Sequence, residues 1–160
     1  MRMTIAAVGR LKTGPERELY LRYADRIGRS GRALALGPVD LVEIAEDRAS
    51  AAAQRMHAEG RLLLERTANS GRRVVMDERG RALSSMEFSD YVRDARDNGT
   101  ERIAFLFGGA DGHDAAVRDA ADLILSLGPM TLPHGLARVV LAEQIYRALT
   151  LIAGHPYHRE

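Results

Sequence analysis

The stretch GHPYHRE, residues 154–160, sets two histidines, a tyrosine, an arginine and a glutamate side by side. His155 and His158 belong to the one side-chain type that titrates near neutrality, so either can take a proton from a substrate or return it. Arg159 carries a planar fork suited to phosphate or to an anion that develops during a reaction. Tyr157 has a ring that can stack on an unpaired base and a hydroxyl that can hydrogen-bond it. Glu160 can orient a histidine. Two histidines three apart with no third ligand fall short of a metal site, and no metal is expected. On composition alone, an inert solvated tail is the plain alternative.

Three glycine-bearing segments are the other chemical candidates. They are Asp77-Glu78-Arg79-Gly80, Gly108-Gly109-Ala110-Asp111-Gly112, and Gly128-Pro129-Met130-Thr131-Leu132-Pro133-His134, each following an apolar run. Glycine lets a backbone approach a ligand closely, although for any one of them it can simply end a strand. The chain has no GxxxxGK[ST], and GGADG does not supply GxGxxG, so a triphosphate or a dinucleotide is not favoured. A ligand held by main-chain groups and an apolar wall fits better, and an adenine ring is of that kind.

The elements that must hold these segments can be read from periodicity. Strands are expected at residues 3–8, 39–44, 73–76, 103–107 and 123–127. Helices are expected at 15–27, where Pro15 suits a first turn, at 49–68, at 114–121 and at 133–153. A further helix begins at Ser84-Ser85-Met86-Glu87, a capping box in which Ser84 and Glu87 satisfy each other's backbone amides, and closes at Asn98-Gly99. Gly60 interrupts the second helix. Continuous apolar strands alternating with helices indicate an α/β fold, a mostly parallel sheet with helices on both faces. Ligands of such sheets sit beyond the carboxyl ends of the strands, where the three glycine segments lie.

Composition narrows the function. At 160 residues the chain is read as a single domain, 1–160. Lys+Arg number 23 against 22 Asp+Glu, a net charge of +1, so any grip on RNA must be local. There is no cysteine, which removes disulfides, thiolate metal sites and cysteine nucleophiles. The first ten residues are too short in apolar length for a signal peptide, and a soluble, cytoplasmic protein is expected. The last helix is apolar nearly all round, which calls for burial on most sides and suggests packing against a second copy. On it, Glu143 and Arg147 sit at salt-bridge spacing. His134 reads as a structural residue at the helix start, and Asp111 and His113 as turn or rim residues. Arg138 and Arg147 are open to either phosphate contact or buried pairing.

The run LGPMTLPHGLARVVLAEQIYRA, residues 127–148, followed by GHPYHRE, resembles the C-terminal signature of the RlmH family, small SPOUT-class ribosomal RNA methyltransferases. FGGADG resembles the family's loop after the fourth strand, and AAVGRLK its first strand and turn. The resemblance spans the chain, strongest in the C-terminal third and weakest over residues 48–68. It implies methylation of ring nitrogen 3 of a pseudouridine in the 23S rRNA of assembled ribosomes, with S-adenosyl-L-methionine as donor. It implies a C-terminal trefoil knot, which periodicity does not show, and a homodimer with its active sites at the subunit interface. Mapped by position, the cofactor would be held by Met76, Gly108, Gly109, Leu127, Gly128, Pro129, Met130, Thr131 and Leu132. Pro129 has no amide hydrogen, so one main-chain donor is missing there. His155, Tyr157, His158 and Arg159 would position the substrate and handle its proton, from one subunit over the cofactor loop of the other. Two rival readings are a flavodoxin-like or receiver-type binding module, and a ribosome-assembly factor without catalysis. The segment GRLKTG after the first strand has no acid, which counts against a receiver.

Overall fold

The computed structural model describes residues 1–155; Tyr157, His158 and Arg159 therefore lie outside the described residues. Five strands and five α-helices alternate: β1 Arg2–Val8, α1 Pro15–Ser30, β2 Val39–Ile44, α2 Ala52–Arg66, β3 Arg72–Ala82, α3 Ser85–Asp97, β4 Arg102–Phe107, α4 Ala115–Asp119, β5 Leu123–Ser126 and α5 His134–Ile152. A short 3-10 turn, Arg32–Leu34, lies between α1 and β2 and carried no sequence signal. Every neighbouring pair in the sheet is parallel, in the order β2-β1-β4-β3-β5. This order is compatible with the knotted path that the resemblance implies.

The strands are buried on both faces because their side chains alternate between two cores. Met3, Ile5, Phe105 and Phe107 meet Tyr20 and Ile27 of α1, Phe88 and Val92 of α3, and Leu141, Ile145 and Leu149 of α5. Ala6, Val8, Ala104 and Leu106 meet Leu63 of α2 and Val117 of α4 on the other side. Three helices thus cover one face and two the other, which is why no strand shows polar alternation.

The local signals act as their chemistry requires. Pro15 starts α1, where its missing amide hydrogen costs nothing. Ser84 accepts from the Glu87 amide at 3.2 Å while Glu87 accepts from the Ser84 amide at 2.8 Å, completing the capping box of α3. Gly60 has a packing reason: a Cβ there would stand 2.8 Å from Asp114 Oδ1 and 2.9 Å from Val117. The glycine lets α2 and the α4 segment touch.

The third strand needs correction. It was expected to stop at Met76, leaving residues 77–80 as a loop, but it runs on to Ala82. Met76 and Arg81 both register opposite Leu125, so Asp77, Glu78, Arg79 and Gly80 form a bulge within the strand. Gly80 makes this possible, since a Cβ would lie 2.7 Å from the main chain of Ile124 and Leu125. The pattern hid the extension because the resumed pairs lie at the exposed rim, where nothing selects for apolar alternation.

Candidate functional site

A cavity of about 340 Å³ opens where the carboxyl ends of β3, β4 and β5 meet the start of α5. Its volume is in the range of small-molecule sites. Met76, Phe107, Leu125, Leu127 and Ala137 give it apolar walls, and Gly108, Gly109, Gly112 and Gly128 present main chain. Eight of the nine residues mapped to a cofactor line it: Met76, Gly108, Gly109, Leu127, Gly128, Met130, Thr131 and Leu132. Pro129 stands between two of them but is not part of the wall. Met130 is 79% exposed and projects at the mouth. At Gly112 (φ +84°) and Gly128 (φ +121°) an added Cβ would meet nothing within 4 Å, so both face open space in a conformation that suits glycine. The segment around Leu125 to Gly128 also walls a second cleft of about 220 Å³ against Phe88 and Leu141.

The cup is tied to the sheet through α5. Arg138, only 2% exposed, donates to the carbonyls of Val8 and Gly9, both at 3.0 Å, at the end of β1. It also contacts Glu43 Oε1 at 3.5 Å on β2. A third bond, at 2.7 Å, goes to Nδ1 of His134 one turn earlier. A guanidinium can only donate, so Nδ1 must be the unprotonated nitrogen. Nε2 therefore carries the hydrogen and donates to the Gly108 carbonyl at 2.7 Å. Burial first, and the Arg138 charge second, push the His134 pKa below its ordinary value, so the ring is neutral. Phe107 meets the same ring edge-on at 5.9 Å between centroids. His134 is thus structural, as its place at the helix start suggested, and it is also part of the cavity wall.

Two further groups line the cavity. Asp77, in the bulge of β3, pairs with Arg118 at 3.1 Å. Burial opposes ionisation of Asp77, but the Arg79 amide and Arg118 outweigh it and hold its carboxyl below the usual range. His113 is 4% exposed, and neither ring nitrogen makes a hydrogen bond of normal geometry. Burial lowers its pKa, against a weaker opposing influence from the nearby Met76 main chain. It is a wall residue, not the turn or rim contact that the sequence suggested.

The outer side of the cup is held by α2. Arg55 meets Asp111 with two bonds, 2.7 and 3.1 Å. Glu59, 5% exposed, accepts from the Asp47 amide at 2.9 Å. Its other oxygen presses on Gly109, where a Cβ would stand 2.5 Å from it. Sequence reasoning missed Arg55, Glu59 and Glu43. A signal was available: charged residues at i, i+4 on stretches otherwise patterned for burial, as in His134/Arg138 and Arg55/Glu59, are rarely placed inside without partners.

His155 is exposed at the far end of α5, its amide bonded to the Thr150 carbonyl at 2.9 Å. Arg147 pairs with Glu143 at 2.6 Å, the helix-face salt bridge that the spacing suggested. Among the described residues no group of three or more His, Cys, Asp or Glu could hold a metal ion. No helix among them is long and apolar enough to cross a membrane.

Comparison with known proteins adds to this geometry. The family model described as predicted SPOUT methyltransferase matches residues 1–158. The protein named ribosomal RNA large subunit methyltransferase H from Xanthobacter autotrophicus is 52% identical over 159 residues, covering 99% of each chain. The protein of the same name from Paracoccus denitrificans is 51% identical over 160 residues, covering 100% of each. The solved SpoU methyltransferase AviRb from Streptomyces viridochromogenes, in complex with the cofactor AdoMet, shows a loose likeness. It has 15% identity and a TM-score of 0.42, over 96% of this chain and 61% of that one.

Proposed function

The chain belongs to the SPOUT methyltransferase family, and from that premise we propose that it methylates large-subunit ribosomal RNA with S-adenosylmethionine as donor. The finer reading is transfer to ring nitrogen 3 of a pseudouridine, by a single domain acting in the cytoplasm on the assembled large subunit or whole ribosome. The observation that carries it is the cavity of about 340 Å³ at three carboxyl strand ends, walled by main chain and apolar side chains. Such a wall suits adenine, whose edge pairs with main-chain groups and whose faces take apolar contact. Gly112 and Gly128 leave the room that a side chain would fill.

When bound, S-adenosylmethionine supplies a sulfonium methyl that is already electrophilic. The chain's own task is alignment and preparation of the acceptor. Ring nitrogen 3 lies between two carbonyls and holds a proton near neutral pH, so a base must take that proton, or donors must stabilise the imide anion. His134 is unsuited to this role, because Nδ1 is occupied by Arg138 and Nε2 donates to Gly108. His155, Tyr157, His158 and Arg159 are the candidates instead.

The length of α5 supports a reading of whose cavity they serve. α5 begins at the cavity with His134, and its 19 residues rise about 28 Å at ~1.5 Å each. The chain from His155 to Arg159 extends at most about 14 Å. That reach is shorter than α5, which supports the reading that they act in a homodimer, over the cavity of a second copy. Met130 (79% exposed) and Leu136 (39% exposed), beside the mouth, offer that copy apolar surface to cover. With a net charge of +1, recognition relies on the shape of the assembled particle more than on bulk attraction.

The test is to remove residues 157–160. The truncated chain should keep its fold and its binding of S-adenosylmethionine but lose transfer to ribosomes. Mixing it with a cavity-blocked chain should restore part of the activity, since the mixed dimer has one intact cavity served by one intact tail. Normal transfer by the truncated chain alone would end the tail assignment. Mass spectrometry of ribosomal RNA from cells lacking the protein tests the substrate. The expected result is one methyl missing from a pseudouridine; an unchanged methylation pattern would end the assignment.

A further inference from the structure

The turn over residues 108–112 contains three glycines, at Gly108, Gly109 and Gly112. Internally it is closed by main-chain pairing of Gly109 with Gly112, the Gly112 amide donating to the Gly109 carbonyl at 3.0 Å. A segment this rich in glycine has many conformations to lose, and a ligand that must order it binds more weakly. Something outside the turn must therefore set its shape. From the sheet side, His134 holds the Gly108 carbonyl. From the opposite side the supports come from the part of the sequence that resembles the family least.

Arg55 is the hub of that outer support. Its Nε and Nη2 clasp the two oxygens of Asp111 at 2.7 and 3.1 Å. Its remaining nitrogen, Nη1, donates to the carbonyls of Ala49 and Ser50 at 2.8 and 2.9 Å. The β2–α2 connection and the turn are thereby joined through one planar group, which a lysine could not reproduce. One helical turn on, Glu59 backs Gly109 and accepts the Asp47 amide. The side chains of Arg55 and Asp111 are each about a quarter exposed, so the clasp is shielded on most sides but open at the rim. Arg55 holds the Asp111 carboxyl below its ordinary pKa, so the clasp stays closed at neutral pH.

We propose that Arg55 is a positioning residue for the cofactor: by clasping Asp111 it holds the glycine turn in its binding shape before the ligand arrives. This rests on the methyltransferase reading above. Arg55 does not line the cavity, and it reaches the ligand site through Asp111 and the turn.

The experiment is calorimetric titration of S-adenosylmethionine into the full-length chain and into R55M, R55K, D111N and R55M/D111N, with thermal melts alongside. R55M and D111N should each bind roughly fivefold more weakly, the upper end of what a bidentate pair at a surface returns. R55K should fall between these and the parent, having charge without the fork. The double variant should be no weaker than R55M, because R55M already removes the clasp that D111N breaks. Amide exchange at residues 109–112 should be faster in unliganded R55M and return toward the parent rate when ligand is bound. Parental affinity in a folded R55M, or a double variant about 25-fold weaker by simple addition, would overturn the clasp. If R55M does not fold, D111N, altered in an exposed turn, reads the same coupling. A parent chain that fails to bind S-adenosylmethionine would overturn the methyltransferase reading itself, and the clasp with it; loss of the effect in the variants alone sinks only the clasp.

Discussion

Replacing Arg138 with methionine removes the guanidinium while keeping most of the aliphatic bulk. The two hydrogens of Nη2, shared among the Val8 and Gly9 carbonyls and His134 Nδ1, disappear together with the longer contact of Nη1 to Glu43. A hydrogen bond from a charged donor is worth about 1.5–3 kcal/mol. Their sum overstates the loss, because the folded chain no longer has to desolvate the cation. Breaking one side of a buried charged cluster typically costs about 3–5 kcal/mol. Since Glu43 keeps partial access to solvent, the lower part of that range is expected for R138M, about 3 kcal/mol. That is a large share of the ~5–15 kcal/mol that keeps a domain folded. Urea unfolding followed by circular dichroism measures it, at a fixed protein concentration because self-association would shift the midpoint. E43Q/R138M should recover part of the loss, as the carboxylate left with the Leu11 amide but without its cation is gone. His134 in R138M should titrate higher by NMR, freed of the neighbouring charge though still buried. A loss below about 1 kcal/mol would refute the claim that this cation ties α5 to the ends of β1 and β2.

Two other perturbations separate parts of the account. His113 and His134 are both held below the ordinary value of 6.5, chiefly by burial. The unfolded chain therefore binds more protons in the window from 6.5 down to the folded values. Their contribution to stability is complete above that window and is lost as pH falls through it; unfolding midpoints between pH 8 and 5 should fall accordingly, and fall less in H113N, while a midpoint that rises on acidification would contradict the assignment. Gly80→Ala should cost more than about 3 kcal/mol, since its Cβ would strike the main chain of β5, whereas Gly99→Ala, at φ +77° in open space, should cost only about 1 kcal/mol; equal melting temperatures for the two would refute the close approach of β3 to β5.

Much of the fold was legible because it depends on neighbours in sequence. The apolar runs at β1, β2 and β4, the proline that starts α1 and the Ser84/Glu87 box all act within a few residues of themselves. The main chain of the cavity was legible too, as glycines after strands. What could not be read were features set by partners far along the chain. The strand at Arg81 and Ala82 exists because β5 lies beside it, and nothing in DERGR announces that. His113 was taken for a turn residue because its burial comes from the ends of β3 and β4, not from its neighbours.

By itself, the sequence determined the order and type of the elements, the parallel class of the sheet and the family to which the chain belongs. These follow from periodicity, capping and local pattern, which need no knowledge of what lies opposite. The tertiary structure alone decided that Arg138 is buried, which nitrogen of His134 carries the proton, and that Arg55 reaches across 56 positions to Asp111. The reason is physical: the state of a polar group depends on which donors and acceptors surround it, and folding brings those from segments that the chain keeps far apart.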